Sequence, residues 1–338
     1  MRISVIEGDG VGPEVTKSAL EVLKVAASKF GLSVDIKYVE AGDNAVRKYG
    51  EALPSRYWQV MEGSDAILKG PVGESAGEVV VKLRRGFDLY ANIRPSRNYP
   101  GVKAVRDGVD LVIVRENTED VYIRAEYMLN NDTAIALRVI TRKASERIAR
   151  VALSMAKTRR KKVTIVHKAN VLTVSDGLFK NVAREVAARD YPDVTINDMY
   201  IDSAVMDLVR RPQDFDVIVT TNLYGDILSD LAAYITGSIG LAPSANIGDS
   251  KALFEPIHGA AFDIAGKGIA NPTAMILSVA WMLRWYGERI GDAGYVRAGQ
   301  VIEDAVINAL SLGIHTPDLG GDYTTESFTA EVIKRLAQ

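Results

Sequence analysis

Asp226 and Asp230 sit four residues apart, directly after the apolar run Asp216 to Thr220. On a helix, positions i and i+4 share a face, and two like charges there disfavour the helix by roughly 0.2–0.5 kcal/mol. A hard divalent cation such as Mg²⁺ takes carboxylate oxygens and would turn that repulsion into attraction. The alternative is an exposed acidic helix face. Position favours the cation, because open α/β sheets collect ligands where strands end and helices begin. A third carboxylate, Asp202, also follows a strand-like run, Thr195 to Tyr200.

Three arginines fall at the ends of expected elements: Arg84, Arg94 and Arg115. Each guanidinium can grip a carboxylate through two parallel hydrogen bonds. Singly, each reads as a surface ion pair. Beside a metal triad they suit a small anion held by cation and arginine together, such as an α-hydroxy dicarboxylic acid. The glycines of Gly8, Gly10 and Gly12 are one residue short of a dinucleotide fingerprint, and Asp9 between them would repel a pyrophosphate. A better nucleotide candidate is Glu255 to Asp263, followed by Gly268 to Pro272. It offers backbone N–H groups, the His258 imidazole, the Asp263 carboxylate and the Asn271 amide. A carboxylate at Asp263 accepts from both hydroxyls of a ribose and repels a 2′-phosphate, which favours NAD over NADP. Asp263 as a cap for the following turn is the competing reading.

These residues need strands and helices in alternation to hold them, and the chain supplies that pattern almost throughout. Ile3 to Ile6, Val34 to Tyr38, Ala66 to Leu68, Leu111 to Val114 and Val163 to Val166 read as strands. Ile148, Val151, Ala152 and Met155 have helical spacing, and Pro13 suits the start of a first helix. The basic run Arg159 to Lys162 fits a helix C-terminus better than a nucleic-acid patch, having no interleaved aromatic residues. Residues 125–137, with Asn130, Asn131 and Asp132 at the tip, read as a hairpin whose edges a second subunit could cover.

A chain of 338 residues predicts two domains. Lys plus Arg total 41 against 43 for Asp plus Glu, so no basic field points to nucleic acid. The absence of cysteine excludes thiolate metal sites and cysteine nucleophiles, and fits a cytoplasmic location. The N-terminal residues form no secretory leader, and the longest apolar run, Met275 to Leu283, is too short for a membrane span.

Taken in order, EGDGVGPEV, LRRGFDLYANIRP, VRENTEDVY, HKANVL, YIDSAVMDLV, TTNLYGDILSD and EPIHGAAFDIAGKGIANP resemble the β-decarboxylating dehydrogenases, the family of 3-isopropylmalate, isocitrate, homoisocitrate and D-malate dehydrogenases. The resemblance spans essentially the whole chain. It implies two interleaved α/β domains sharing a mixed sheet, distinct from a Rossmann fold: residues 1–90 plus 237–338 on the cofactor side, and 91–236 on the dimerisation and metal side. It implies Mg²⁺ or Mn²⁺ on Asp202, Asp226 and Asp230, with Asp202 reaching in from the other subunit of a homodimer, alone or paired into a tetramer. Arg84, Arg94 and Arg115 would bind substrate. Tyr122 and Lys168 would be the catalytic pair, Lys168 crossing the dimer, with Asn170 nearby. NAD would lie along Gly259, Ala260, Asp263, Ile264 and Asn271, beside Glu255 and His258. Relatives that take a third carboxylate place polar or basic residues on the helical turn before the first arginine. Here the matching positions hold Glu78, Val80 and Val81. Val80 offers an apolar surface and Glu78 would repel a third carboxylate, so an isopropyl-bearing malate is expected ahead of homoisocitrate, isocitrate or D-malate. Burying its three methyl-sized carbons contributes roughly 2 kcal/mol.

Overall fold

The computed structural model describes residues 1–337. Twelve strands are present among them: β1 (Arg2–Ile6), β2 (Asp35–Tyr38), β3 (Ala66–Lys69), β4 (Ala91–Arg97), β5 (Asp110–Glu116), β6 (Glu126–Asn130), β7 (Thr133–Ala136), β8 (Lys162–His167), β9 (Thr195–Tyr200), β10 (Val217–Thr220), β11 (Pro243–Ile247) and β12 (Ala252–Pro256). Ten of them form one sheet in the order β2-β1-β3-β12-β11-β4-β5-β10-β8-β9. The sheet is mixed, as expected: β11 runs antiparallel to both β12 and β4, and β4 antiparallel to β5, while the outer pairs are parallel. One side of it comes from both ends of the chain and the other from the middle, so the chain crosses from one side to the other more than once.

The parallel strands are apolar on both faces because helices cover both. β3 and β10 are buried throughout. On one face, the helices Gly12–Phe30, Arg142–Lys157, Thr273–Ile290 and Ala293–Ser311 contribute to a common core with Ile3, Val5, Val114, Ala245 and Phe254. On the other, Val79 and Leu83 of helix Ala76–Gly86 pack with Ile6 and Ile67. Ala204, Leu208, Leu228 and Ala232 of helices Ile201–Arg210 and Asn222–Ile235 pack with Ile113 and Ile218. No helix among the described residues is long and apolar enough to cross a membrane.

The Gly8–Gly12 loop is spent on internal contacts. The Asp9 carboxylate is buried and accepts from the backbone N–H groups of Asp43 (2.9 Å), Asn44 (3.1 Å) and Gly73 (3.0 Å). At Gly10, φ is +57° and a β-carbon would stand 2.0 Å from the Ala260 carbonyl oxygen. That carbonyl accepts from the Val11 N–H at 2.8 Å. The loop is thereby keyed to the Gly259–Ala260 segment. The expected hairpin forms as β6 and β7, a separate two-stranded sheet whose Tyr127, Met128 and Leu129 are all more than half exposed.

Candidate active site

Strand alternation explains how the arginines meet. Side chains two apart on a strand share a face. Asn92 of β4 lies opposite Arg115 of β5 and beside Asn246 of β11, so Arg94, Arg115, Asn246 and Glu255 all project from one face. Arg84 arrives from helix Ala76–Gly86, which covers that face. Asp226 arrives from helix Asn222–Ile235, which starts two residues after β10 ends. Tyr122 lies in the short turn Val121–Ile123 beyond the carboxyl end of β5. Arg84, Arg94, Arg115, Tyr122, Asp226 and Glu255 line one cleft of about 210 Å³.

Four cationic side chains of the cleft, Lys69, Arg84, Arg94 and Arg115, face two carboxylates, Asp226 and Glu255, a surplus of two positive charges. The three guanidinium side chains are at most 7% exposed. Buried charges need partners. Arg115 donates from Nε (3.0 Å) and Nη2 (2.6 Å) to Asn222 Oδ1, and pairs closely with Asp226 through Nη1. Arg94 Nη1 reaches Ser229 Oγ at 2.6 Å and Asp226 at 3.2 Å, while its Nε is buried with no partner. Arg84 Nε donates to Asn246 Oδ1 at 3.0 Å, and its Nη2 lies 3.4 Å from Glu255. Burial and the neighbouring Arg115 press the Arg84 pKa down to about 10. Two negative charges would relieve this crowding, so the cleft suits a dicarboxylate.

Burial pushes the Asp226 carboxyl upward, but Arg115 and Arg94 outweigh it and hold the group below its ordinary value. Tyr122 donates to Asp226 Oδ2 at 2.5 Å, and burial raises its phenol pKa, keeping the proton in place. Asp230 stands at the rim, 3.7 Å from Arg94, raised mainly by burial. Asp202 lies elsewhere, paired closely with Lys168 Nζ. Among the described residues of one chain, no three acidic or histidine side chains gather as a metal cluster. The donor types fit a hard cation: two carboxylates on one helix face. Exposed Asn170 and half-buried Lys168 do not line the cleft of their own chain.

The helical turn before Arg84 divides by period. Val79 is fully buried core, whereas Val80 and Val81 line the cleft, Val80 sharing the Arg84 face. Glu78 and Lys82 are exposed and do not line the cleft. Repulsion of a third carboxylate by Glu78 is therefore corrected: apolar surface at Val80 and Val81 is what that wall presents.

The nucleotide candidate segment also divides. His258 borders the cleft with Nδ1 3.0 Å from the Gly259 carbonyl, leaving Nε2 buried and unpaired. Asp263 is exposed. An unpaired imidazole nitrogen and an open carboxylate fit a ligand of adenine and ribose type. Ala260, by contrast, gives its carbonyl to the glycine loop, Ile264 packs against the core, and Asn271 bonds Asp318 Oδ2 (3.1 Å) and the Thr273 N–H (3.0 Å). Their side chains shape the segment from within. Glu255 is likewise engaged: Lys69 Nζ at 2.8 Å, Asn246 Nδ2 at 2.8 Å, and Arg84. It anchors Arg84. Lys69 and Asn246 were not picked out in the sequence, where a strand-end lysine and a mid-strand asparagine carry no distinguishing spacing.

Burial alone would raise the Glu255 pKa, but Lys69 and Arg84 bring it down to about 2. Its folded-state pKa is below the unfolded value of 4.5, so its stabilisation is present above pH 4.5 and disappears as pH falls toward 2. Glu255→Gln is expected to flatten unfolding free energy against pH across that window, removing on the order of 3 kcal/mol of pH-dependent stability. Urea titrations at pH 2.5 to 6 check this; an unchanged slope refutes the anchoring role.

A larger cavity, about 440 Å³, opens on the opposite sheet face beside Ile93, Ala245, Phe254, Trp281 and Trp285. Its arginines are already paired, Arg97 and Arg284 with Glu303 and Arg159 with Asp110. The smaller cleft holds the uncommitted charge and is the candidate site of chemistry.

The sequence matches the isocitrate/isopropylmalate dehydrogenase family over residues 2–336. The chain belongs to that family. It is 52% identical over 336 residues to a protein of Saccharolobus solfataricus named 3-isopropylmalate dehydrogenase, covering 99% of each chain. It is 50% identical over 335 residues to one of the same name from Sulfurisphaera tokodaii, covering 99% of this chain and 98% of the relative. Among solved structures, isocitrate dehydrogenase from Methylococcus capsulatus superposes with a TM-score of 0.92 at 42% identity, covering 100% of this chain and 99% of that one. Membership of this dehydrogenase family makes the chain an oxidative decarboxylase, an activity that the arginine-lined cleft suits.

Proposed function

We propose that the protein oxidises and decarboxylates 3-isopropylmalate to 4-methyl-2-oxopentanoate, with NAD and Mg²⁺ or Mn²⁺, as a step in leucine biosynthesis. The observation that carries this reading is the apolar wall of Val80 and Val81 facing three buried arginines. The names of the two archaeal relatives support it.

Arg94 and Arg115 grip the malate carboxylates in this reading, and Arg84 holds the end nearest Val80. The isopropyl group lies on Val80 and Val81. Asp226 and Asp230 of one subunit, with Asp202 of the other, would hold the divalent cation, which when bound acidifies the C2 hydroxyl and stabilises the enolate left by CO₂. NAD would lie along Gly259 to Asn271, with His258 and Asp263 toward its adenosine, and when bound it accepts the C2 hydride. Lys168 of the other subunit takes the hydroxyl proton as general base. Tyr122 returns a proton to the enol carbon. The expected homodimer would cover the exposed apolar residues Met206, Val209, Ile227 and Tyr234 of the two helices carrying Asp202 and Asp226.

NADH formation with Mg²⁺ or Mn²⁺ tests this on 3-isopropylmalate, homoisocitrate, isocitrate and D-malate side by side. The highest kcat/KM is expected for 3-isopropylmalate, with Val80→Ala weakening that preference by roughly tenfold through lost apolar contact. Higher efficiency on a tricarboxylate contradicts the substrate and leaves the reaction type standing.

A further inference from the structure

Arg138 follows the second arm of the hairpin and is assigned no role above. Its guanidinium divides itself between two aspartates whose side chains are fully buried. Nε donates to Asp120 Oδ1 at 2.7 Å and Nη2 to Thr221 Oγ1 at 2.9 Å, while Nη1 pairs closely with Asp176. The guanidinium also lies over the Tyr224 ring, 5.0 Å from its centroid.

Each aspartate holds a different catalytic element. Asp120 accepts from the Val121 N–H at 2.9 Å, capping the turn that carries Tyr122. Its other oxygen accepts at 3.0 Å from the N–H of Leu223, in the first turn of the helix carrying Asp226. Asp120 itself has φ 71° and ψ −150°, a conformation unfavourable in a non-glycine residue and kept only where surroundings enforce it. Asp176 accepts from the backbone N–H of Lys168 at 2.6 Å. One arginine therefore joins the Tyr122 turn to the Lys168 turn.

We propose that Arg138 is a positioning residue which, through Asp120 and Asp176, sets the Tyr122 turn of one active site and the Lys168 turn of the neighbouring site as a single unit. The proposal rests on the shared-site dimer reading above. Because β6 and β7 lie between Tyr122 and Arg138 in the chain, docking of that hairpin on a second subunit would load the same brace. Lysine cannot replace Arg138, since an ammonium lacks the planar fork that spans two carboxylates.

Mixed dimers of differently tagged subunits test this. A dimer of one wild-type and one Tyr122→Phe subunit retains one intact site and about half of wild-type turnover. A dimer of one wild-type and one Arg138→Met subunit has a defect in both sites, one through Tyr122 and one through Lys168. Its turnover is expected to fall at least tenfold, with KM for NAD unchanged. Arg138→Lys carries the same test where Arg138→Met does not fold. Half of wild-type turnover in that mixed dimer overturns the proposal. Tyr122→Phe paired with Lys168→Ala is the control, because such dimers keep one intact site. If the control dimers are inactive, the shared-site reading fails and the coupling falls with it. If they are active, the Arg138 result stands on its own.

Discussion

Asp226→Asn is expected to lower kcat by about 10²–10³-fold, the scale of removing one preorganised electrostatic contact to developing oxyanion charge. The loss should persist at saturating Mg²⁺ or Mn²⁺. Asp226 is where three functions would meet: it neutralises Arg94 and Arg115, accepts the Tyr122 hydrogen bond, and in the proposed function holds the cation together with Asp230. The amide keeps the shape and removes the charge. Two buried guanidinium groups then lose their shared counter-ion, so the apparent affinity for the metal should weaken while anions bind the arginines indiscriminately. Steady-state kinetics over a metal titration check this, with malonate inhibition as the second readout. Near-normal turnover at high metal would contradict the cation assignment.

Lys168→Ala should cost about 10²–10⁴-fold in kcat, the usual contribution of a positioned general base, with little change in KM for the hydroxy acid. In the single chain the Lys168 ammonium pairs with Asp202, away from its own cleft. Both would enter the neighbouring subunit's site together, the lysine as base and the aspartate toward the cation. His167 supports that loop. Its Nδ1 accepts from the Ala169 N–H at 3.1 Å, which leaves Nε2 to donate to Asp198 at 3.2 Å, and burial lowers its pKa so that the neutral ring persists. A small primary amine should restore part of the Lys168→Ala rate. Turnover within tenfold of wild type, with no amine effect, would remove Lys168 from the mechanism.

The groups legible in the sequence are those whose place in an element dictates their direction. Arg115 ends a strand, Asp226 opens a helix, and Arg84 lies one turn after Val80. Simple periodicities of two and 3.6 place all of them. The hairpin was legible for the same reason, whereas alternation alone indicated an α/β fold with much parallel sheet and the mixed sheet followed from the family resemblance. What was hidden depends on neighbours distant in sequence. Glu255 reads as a free acid beside a nucleotide segment until Lys69 and Arg84 are seen to hold it. Asn246 reads as an ordinary strand residue until Arg84, Asn92 and Asn117 are seen donating to its one oxygen, at 3.0, 3.1 and 2.8 Å. Glu78 was misjudged because counting back from Arg84 gives spacing without the helix's rotation into the cleft. The Arg138 brace carries no local signal: its partners Asp120 and Asp176 are 18 and 38 residues away.

The most direct measurement is anomalous diffraction from crystals grown with Mn²⁺ and 3-isopropylmalate. A single manganese peak is expected between Asp226 and Asp230 of one copy and Asp202 of another, with the isopropyl group against Val80 and Val81. Those oxygens scattered around empty density, or a peak bound elsewhere, would contradict the account.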